Sequence, residues 1–158
     1  ELSPRFSLDQ KDTEKGLEKL QAFVNKYPNS SYRIEANNLV SELREKLEKK
    51  DIENAHQYFK IGQQIGSYKP AVDAYENFIT DHPGSVFREL AFFGTVAASY
   101  NRAISSIPAV QKERLLISKE YYNKYAKYYK AGDKKQEADA LIAAIDKELK
   151  KYQQPTEN

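Results

Sequence analysis

The chain has 158 residues, of which 30% are charged and 40% apolar, a composition typical of amphipathic helices rather than of a disordered chain. Its 25 basic and 23 acidic residues are interspersed and give a net charge of +2, so no basic stripe indicates a nucleic-acid partner. Cysteine is absent, which excludes disulfides, thiol catalysis and thiolate metal sites, and no apolar run approaches the ~18 residues of a membrane span.

Residues 1–12 lack helical periodicity and are predicted to form an entry loop. The first helix is expected from Thr13 to Tyr27, because Pro28 disfavours helix in the residue before it. Its apolar stripe is wide enough for two neighbouring helices and the chain supplies only one, so we expect apolar area to stay exposed here. The stripe consists of Leu17, Leu20, Phe23, Val24 and Tyr27.

A second helix follows, capped by Ser30 or Ser31. Its apolar residues keep spacings of three and four as far as Leu47 and then change phase. No proline or glycine interrupts the chain between Pro28 and Gly62. Two interpretations are open: one long helix bent near residues 49–51, or two abutting helices.

Gly66 and Ser67 break the chain before a third helix, in which Pro70 occupies the first turn. Asp133 and Gln136 predict a capping box for the last helix. The expected segments are a third helix that ends at residues 82–83, a helix from Ser85 to about Ser106, a helix from about Lys112 to Lys130, a helix from Asp133 to about Tyr152, and a frayed tail over residues 153–158.

Helix ends in this sequence repeat. Tyr27-Pro28-Asn29-Ser30 returns as His82-Pro83-Gly84-Ser85, 55 residues later, and a further step of 47 places His82 on Tyr129. Repetition at this scale is typical of helical solenoids, most of which bind other proteins. The sequence therefore predicts an all-α, tetratricopeptide-like α-solenoid of antiparallel helix pairs, with about six helices in one domain over residues 1–152.

Catalytic or metal-binding constellations are not evident. His82 occupies the repeat position of Tyr27 and Tyr129, which favours a packing role. His56 has no second histidine at metal-ligand spacing, and no glycine-rich phosphate loop occurs. We predict a protein that is not an enzyme and that uses no cofactor and no metal.

The fourth helix offers a candidate partner-binding row. Small residues at positions 91, 94 and 98 allow a neighbouring helix to approach closely. The core can be served by Phe87, Leu90, Ala91, Gly94 and Ala97, which leaves another set at spacings of three and four on the other side. Aromatic residues and arginine are enriched in protein interfaces, although a solvated face with one stray phenylalanine fits the same pattern. The row consists of Arg88, Phe92, Thr95, Ser99 and Arg102.

Five of the twelve tyrosines fall within nine residues of the fifth helix. The repeat alignment makes Tyr122, Tyr125 and Tyr129 core positions. Tyr121 and Tyr128 lie on an adjoining face, where they either cover the next helix or contribute to a partner contact. We add both to the candidate partner-binding residues.

The segments Leu8-Asp9-Gln10-x-x-Thr13-x-x-Gly16, Phe23-x-x-x-Tyr27-Pro28-Asn29-Ser30 and Ala71-x-x-x-Tyr75-x-x-Phe78-x-x-x-His82-Pro83 resemble the BamD family. Its members are tetratricopeptide lipoproteins of the machine that assembles outer-membrane β-barrels in Gram-negative bacteria. The long stretch around residues 42–62 is similar to the elongated helix before that family's fourth repeat. The resemblance covers most of residues 8–107.

The resemblance implies that the chain is the C-terminal part of a longer protein, with a lipid anchor upstream as its one link to the membrane. It further implies a non-enzymatic scaffold at the periplasmic face of the outer membrane, which binds a POTRA domain of BamA and other lipoproteins of the assembly machine. An alternative is another tetratricopeptide adaptor, a YbgF-like periplasmic protein or a cytoplasmic one, that captures peptides or proteins in its groove.

Overall fold

The computed structural model describes residues 3–152, and within that range all regular structure is α-helical. This confirms the predicted all-α fold of tetratricopeptide-like antiparallel helix pairs. The predicted frayed tail over residues 153–158 lies outside the described residues. The six helices are α1 (Lys11–Lys26), α2 (Arg33–Ile65), α3 (Lys69–Asp81), α4 (Arg88–Ile104), α5 (Pro108–Tyr128) and α6 (Lys135–Lys150).

Of the two interpretations of the second helix, the single helix is the one observed. Helix α2 runs for 33 residues and includes residues 49–51 without a break. It ends before Gly66, which adopts φ = +71°, a left-handed conformation that suits glycine because it has no Cβ. Pro70 lies in the first turn of α3, as predicted.

The sequence repeat is also a repeat of backbone geometry. The C-cap residues that follow α1, α3 and α5 are Tyr27, His82 and Tyr129. Their φ/ψ angles are −126°/64°, −123°/64° and −124°/59°. Each residue donates its N–H to the carbonyl four residues earlier. The third copy keeps this geometry although Lys130 replaces the proline. The helix therefore ends without proline at this position.

The chain divides into two units, residues 1–53 and residues 54–158, and the prediction of one solenoid domain over residues 1–152 stays a prediction. In the first unit, two lysines of α2 donate hydrogen bonds to the loop over residues 3–10. Lys46 Nζ donates to the Ser3 carbonyl (3.2 Å) and to Ser3 Oγ (2.6 Å), and Lys50 Nζ donates to the Leu8 carbonyl (2.7 Å). The predicted apolar stripe of α1 is only partly buried, and Tyr27 is 49% exposed.

In the second unit, α4 packs against α3, α5 and α6. Gly94 makes the α3 contact close, because a Cβ there would lie 2.4 Å from Cζ of the Tyr75 ring. The predicted close approach at a small residue is thus confirmed. The buried members of the core cluster around α4–α6 are Phe92, Val96, Ala103, Leu115, Tyr125, Ala138, Ile145 and Leu149.

The predicted capping box of the last helix is wrong. Helix α6 begins at Lys135 without a side-chain cap from its own first turn. A carboxylate from α4 takes that place: Glu89 accepts hydrogen bonds from the backbone N–H of Asp133 (3.2 Å) and Lys134 (2.9 Å), and from the Tyr125 hydroxyl (2.8 Å). The cap is supplied by the tertiary fold, so local sequence spacing does not reveal it.

Candidate partner-binding groove

A groove of about 440 Å³ lies between α3 and α5, with α4 as its floor. Five of the seven predicted partner-binding residues line it, which brings together side chains from the α4 row and from the tyrosine pair of α5. Ser99 and Arg102 are not among its lining residues. The groove is lined by Glu76, Ile79, Thr80, Arg88, Phe92, Thr95, Tyr121, Lys124, Lys127 and Tyr128.

The outward orientation predicted for the α4 row is wrong for Phe92, Thr95 and Ser99, which are 7%, 1% and 4% exposed. Because α4 is surrounded by three helices, it has no wide solvent face. The two hydroxyls bond within α4, Thr95 Oγ1 to the Ala91 carbonyl (2.9 Å) and Ser99 Oγ to the Val96 carbonyl (3.0 Å). These residues serve packing, and Phe92 reaches the groove only as its floor.

Arg88 is the central polar group of the groove. Its guanidinium carbon lies 5.0 Å from the ring centroid of Phe92 and 5.5 Å from that of Tyr128, within cation–π range of both. Its Nε atom is buried and has no hydrogen-bond partner within residues 3–152. Arg88 and Phe92 both belong to the row predicted on α4, whereas Tyr128 comes from another helix and only the fold places it beside them.

The two tyrosines of the adjoining α5 face have different environments. Tyr121 packs against the core cluster, and the Glu76 carboxylate of α3 lies near enough to affect its hydroxyl. Its burial, and then this carboxylate, raise the pKa of the Tyr121 hydroxyl above its ordinary value of 10.0. Tyr128 is 56% exposed, with its ring centroid 5.5 Å from that of Phe92. Tyr121 is therefore a partly buried lining residue, and Tyr128 forms an accessible wall of the groove.

The groove is electropositive. Lys124 and Lys127 line it beside Arg88, whereas Glu76 is the one carboxylate among its lining residues. Among the ion pairs of the part of the chain that the structure describes, none involves Arg88, Lys124 or Lys127. Sequence reasoning missed both lysines, because they are two of many lysines on exposed helix faces and nothing in their spacing distinguishes them.

The histidines have structural contacts in the second unit. His56 Nδ1 lies 3.0 Å from the Tyr75 hydroxyl, and the His82 ring contacts the Phe78 ring at a tilt of 47°, with a centroid distance of 4.7 Å. Between residues 3 and 152, no group of three His, Cys, Asp or Glu side chains is arranged to hold a metal ion. Across the same residues, no helix is both long enough and apolar enough to span a membrane.

Comparison with known protein families decides the family. The model of the YfiO family, described as outer membrane lipoproteins, matches residues 2–85, which is more than half of the chain. The chain belongs to the YfiO family. This confirms the resemblance to BamD and associates the chain with the outer membrane at the level of the family. No curated protein sequence matches it.

The YfiO match does not extend over the whole groove. It includes the first unit and α3, with Glu76, Ile79 and Thr80, and it ends before α4 begins at Arg88. The groove residues of α4 and α5 therefore lie in the part of the chain that the family model does not match. Any role for them has to be argued from their own geometry and charge.

Proposed function

We propose that this YfiO-family chain is a non-enzymatic scaffold of the outer-membrane β-barrel assembly machinery, which acts at the periplasmic face of the membrane and binds a POTRA domain of BamA. The observation that carries the proposal is the family match over residues 2–85. The helix-pair architecture supports it, since stacked helix pairs commonly present surfaces for protein partners.

The groove between α3 and α5 is the contact surface in this proposal. It combines an exposed aromatic ring, Tyr128, with a cation within cation–π range of two rings, Arg88. Tyrosine and arginine at the centre of a contact carry a large share of the binding energy in many interfaces. The groove thus offers both an apolar anchor point and a charged one.

Co-elution tests the function directly. The chain and the POTRA domains of BamA from the same organism are purified separately, mixed at tens of micromolar and separated by size-exclusion chromatography. We expect them to elute together. Separate elution at these concentrations contradicts the proposed function.

A pair of tyrosine variants tests the surface. Tyr128→Ala removes the groove wall and is expected to weaken POTRA binding about tenfold, which corresponds to about 1.4 kcal/mol. Tyr27→Ala is the matched control, because Tyr27 is similarly exposed and lies in the first unit. If both variants weaken POTRA binding equally, or if neither weakens it, the groove is not the contact surface.

A further inference from the structure

We propose that the groove binds an acidic peptide segment of its protein partner, with the carboxylate of an Asp or Glu side chain seated on the guanidinium of Arg88. The inference rests on the proposed function only in taking this groove as the partner surface. It adds the chemistry of the segment that the groove recognises.

The first observation in support is the unpaired guanidinium nitrogen of Arg88. The guanidinium carbon lies within 5.5 Å of the centroids of two aromatic rings. The Nε atom of the same group is buried and lacks a hydrogen-bond partner among residues 3–152. A buried donor that remains unpaired is costly, whereas a carboxylate can accept two parallel hydrogen bonds from a guanidinium. Arg88 lines the groove, and the centroids of the Phe92 and Tyr128 rings lie only 5.5 Å apart, so the two rings do not sandwich the guanidinium between them. The planar fork of N–H donors on a guanidinium matches the geometry of a carboxylate.

The surrounding charges carry the second step. Lys124 and Lys127 are three residues apart on α5 and both line the groove, and Glu76 is the one carboxylate among the lining residues. Three positive side chains therefore outnumber the single carboxylate of the lining. Cations distributed over two helices match several carboxylates along a segment better than the single charge of a chain terminus.

The apolar surface adds a second requirement. Phe92 forms the floor, and Ile79 and Tyr128 form part of the walls. The volume of about 440 Å³ lies within the usual range of ligand pockets. The segment that fits carries an aromatic or aliphatic residue beside its acidic ones.

Fluorescence anisotropy tests the inference on the whole chain. The probe is a short fluorescein-labelled peptide with several glutamates around one phenylalanine, amidated at its C-terminus so that only side-chain carboxylates remain. We expect saturable binding that weakens as salt is raised, because salt screens accessible charges. The same peptide with glutamines in place of the glutamates should bind at least tenfold more weakly.

Three variants locate the site. Arg88→Gln should weaken binding of the acidic peptide about tenfold, and so should the double variant Lys124→Gln/Lys127→Gln, which changes exposed residues and serves if Arg88→Gln fails to fold. Lys112→Gln is the matched control, since Lys112 is an exposed lysine of α5 outside the groove and should leave affinity unchanged.

Several results would overturn the inference: equal affinity for the glutamate and glutamine peptides, wild-type affinity in both groove variants, or binding that requires a free C-terminal carboxylate. The co-elution experiment is independent of these results. If the chain binds the acidic peptide but not the POTRA domains, the proposed partner is rejected. If it binds the POTRA domains but not the acidic peptide, the acidic segment is rejected.

Discussion

In residues 3–53, three of the five buried side chains are polar or no larger than alanine, whereas the buried side chains of residues 54–152 include large aromatic groups. The first set consists of Gln10, Thr13, Ala36, Val40 and Ile52. Among the largest fully buried members of the second set are Tyr75, Tyr125, Leu115 and Ile145. Burial of large apolar side chains contributes about 1.5–3 kcal/mol each, so the second unit has the greater potential for stability from its core.

Polar contacts partly compensate in the first unit. Gln10 illustrates this, because its Nε2 donates to the Arg5 and Leu8 carbonyls (2.7 and 3.1 Å) and its Oε1 accepts from Thr13 Oγ1 (2.7 Å). Net contributions of such bonds are about 1 kcal/mol each, and water competes for those at the surface. The comparison shows that hydrogen bonds hold the loop of the first unit in place, whereas the packing of large side chains stabilises the second unit.

Two equivalent glycine substitutions should have opposite effects in the two units, and this is the largest effect that we expect. Gly94→Ala places a Cβ 2.4 Å from the Tyr75 ring and should lower the free energy of unfolding by about 2–3 kcal/mol. Gly16→Ala is the matched control in α1, where a Cβ meets only Leu43 at 3.7 Å. It should raise stability by up to ~1 kcal/mol through helix propensity. Thermal and denaturant unfolding measure both, and a shift of the same sign in the two variants would contradict the comparison.

The tertiary cap of α6 provides the second prediction. Glu89→Ala leaves two backbone N–H groups and the Tyr125 hydroxyl without their acceptor, and should cost about 2 kcal/mol. Asp133→Ala should cost a few tenths of a kcal/mol at most, because no side-chain cap forms in the first turn of α6. Urea unfolding monitored by circular dichroism distinguishes them. A larger loss of stability in Asp133→Ala than in Glu89→Ala would indicate that Asp133 caps α6 after all.

Alkaline pH should weaken the second unit. Burial, followed by the Glu89 carboxylate, raises the pKa of the Tyr125 hydroxyl in the folded chain, and burial with Glu76 does the same for Tyr121. Above pH 10, the ordinary pKa, the unfolded state loses these protons and the folded state keeps them, so stability falls as the pH rises. Below pH 10 the contribution is fully present. The double variant Tyr121→Phe/Tyr125→Phe should show a shallower decline between pH 9 and pH 11 in urea unfolding, and an unchanged slope would contradict the assignment.

The smallest effect concerns the loop of the first unit. Lys46→Met removes the bonds to Ser3 and should increase amide hydrogen exchange over residues 5–10, with a change in global stability of about 0.5 kcal/mol or less. Lys19→Met is the control for loss of an exposed positive charge in the same unit. Unchanged exchange in Lys46→Met would show that the loop is held by other contacts.

The repeat pattern predicted much of the fold. It gave the helix number, the shared ends at Tyr27, His82 and Tyr129, and the small residue at Gly94, because these features depend on local spacing and backbone geometry. The spacing of Asp133 and Gln136 predicted the wrong cap for α6, since the residue that caps it, Glu89, is more than 40 residues away in sequence.

The groove was predictable only in part. Residues at helical spacing share a face whatever the fold, so Arg88 and Phe92, which were assigned to one row, lie side by side. Whether that face is exposed depends on how many neighbours surround α4, and Thr95 proved buried for this reason. Lys124 and Lys127 carry no local signal, and only the packing of α5 beside α4 brings them to Arg88.

Hydrogen–deuterium exchange of the chain, alone and with the POTRA domains of BamA, tests the central claim most directly. The account predicts slower exchange on binding in the groove segments, residues 76–80, 88–95 and 121–128, and little change over residues 3–32. Protection confined to the first unit, or no protection anywhere at saturating POTRA concentration, would contradict it.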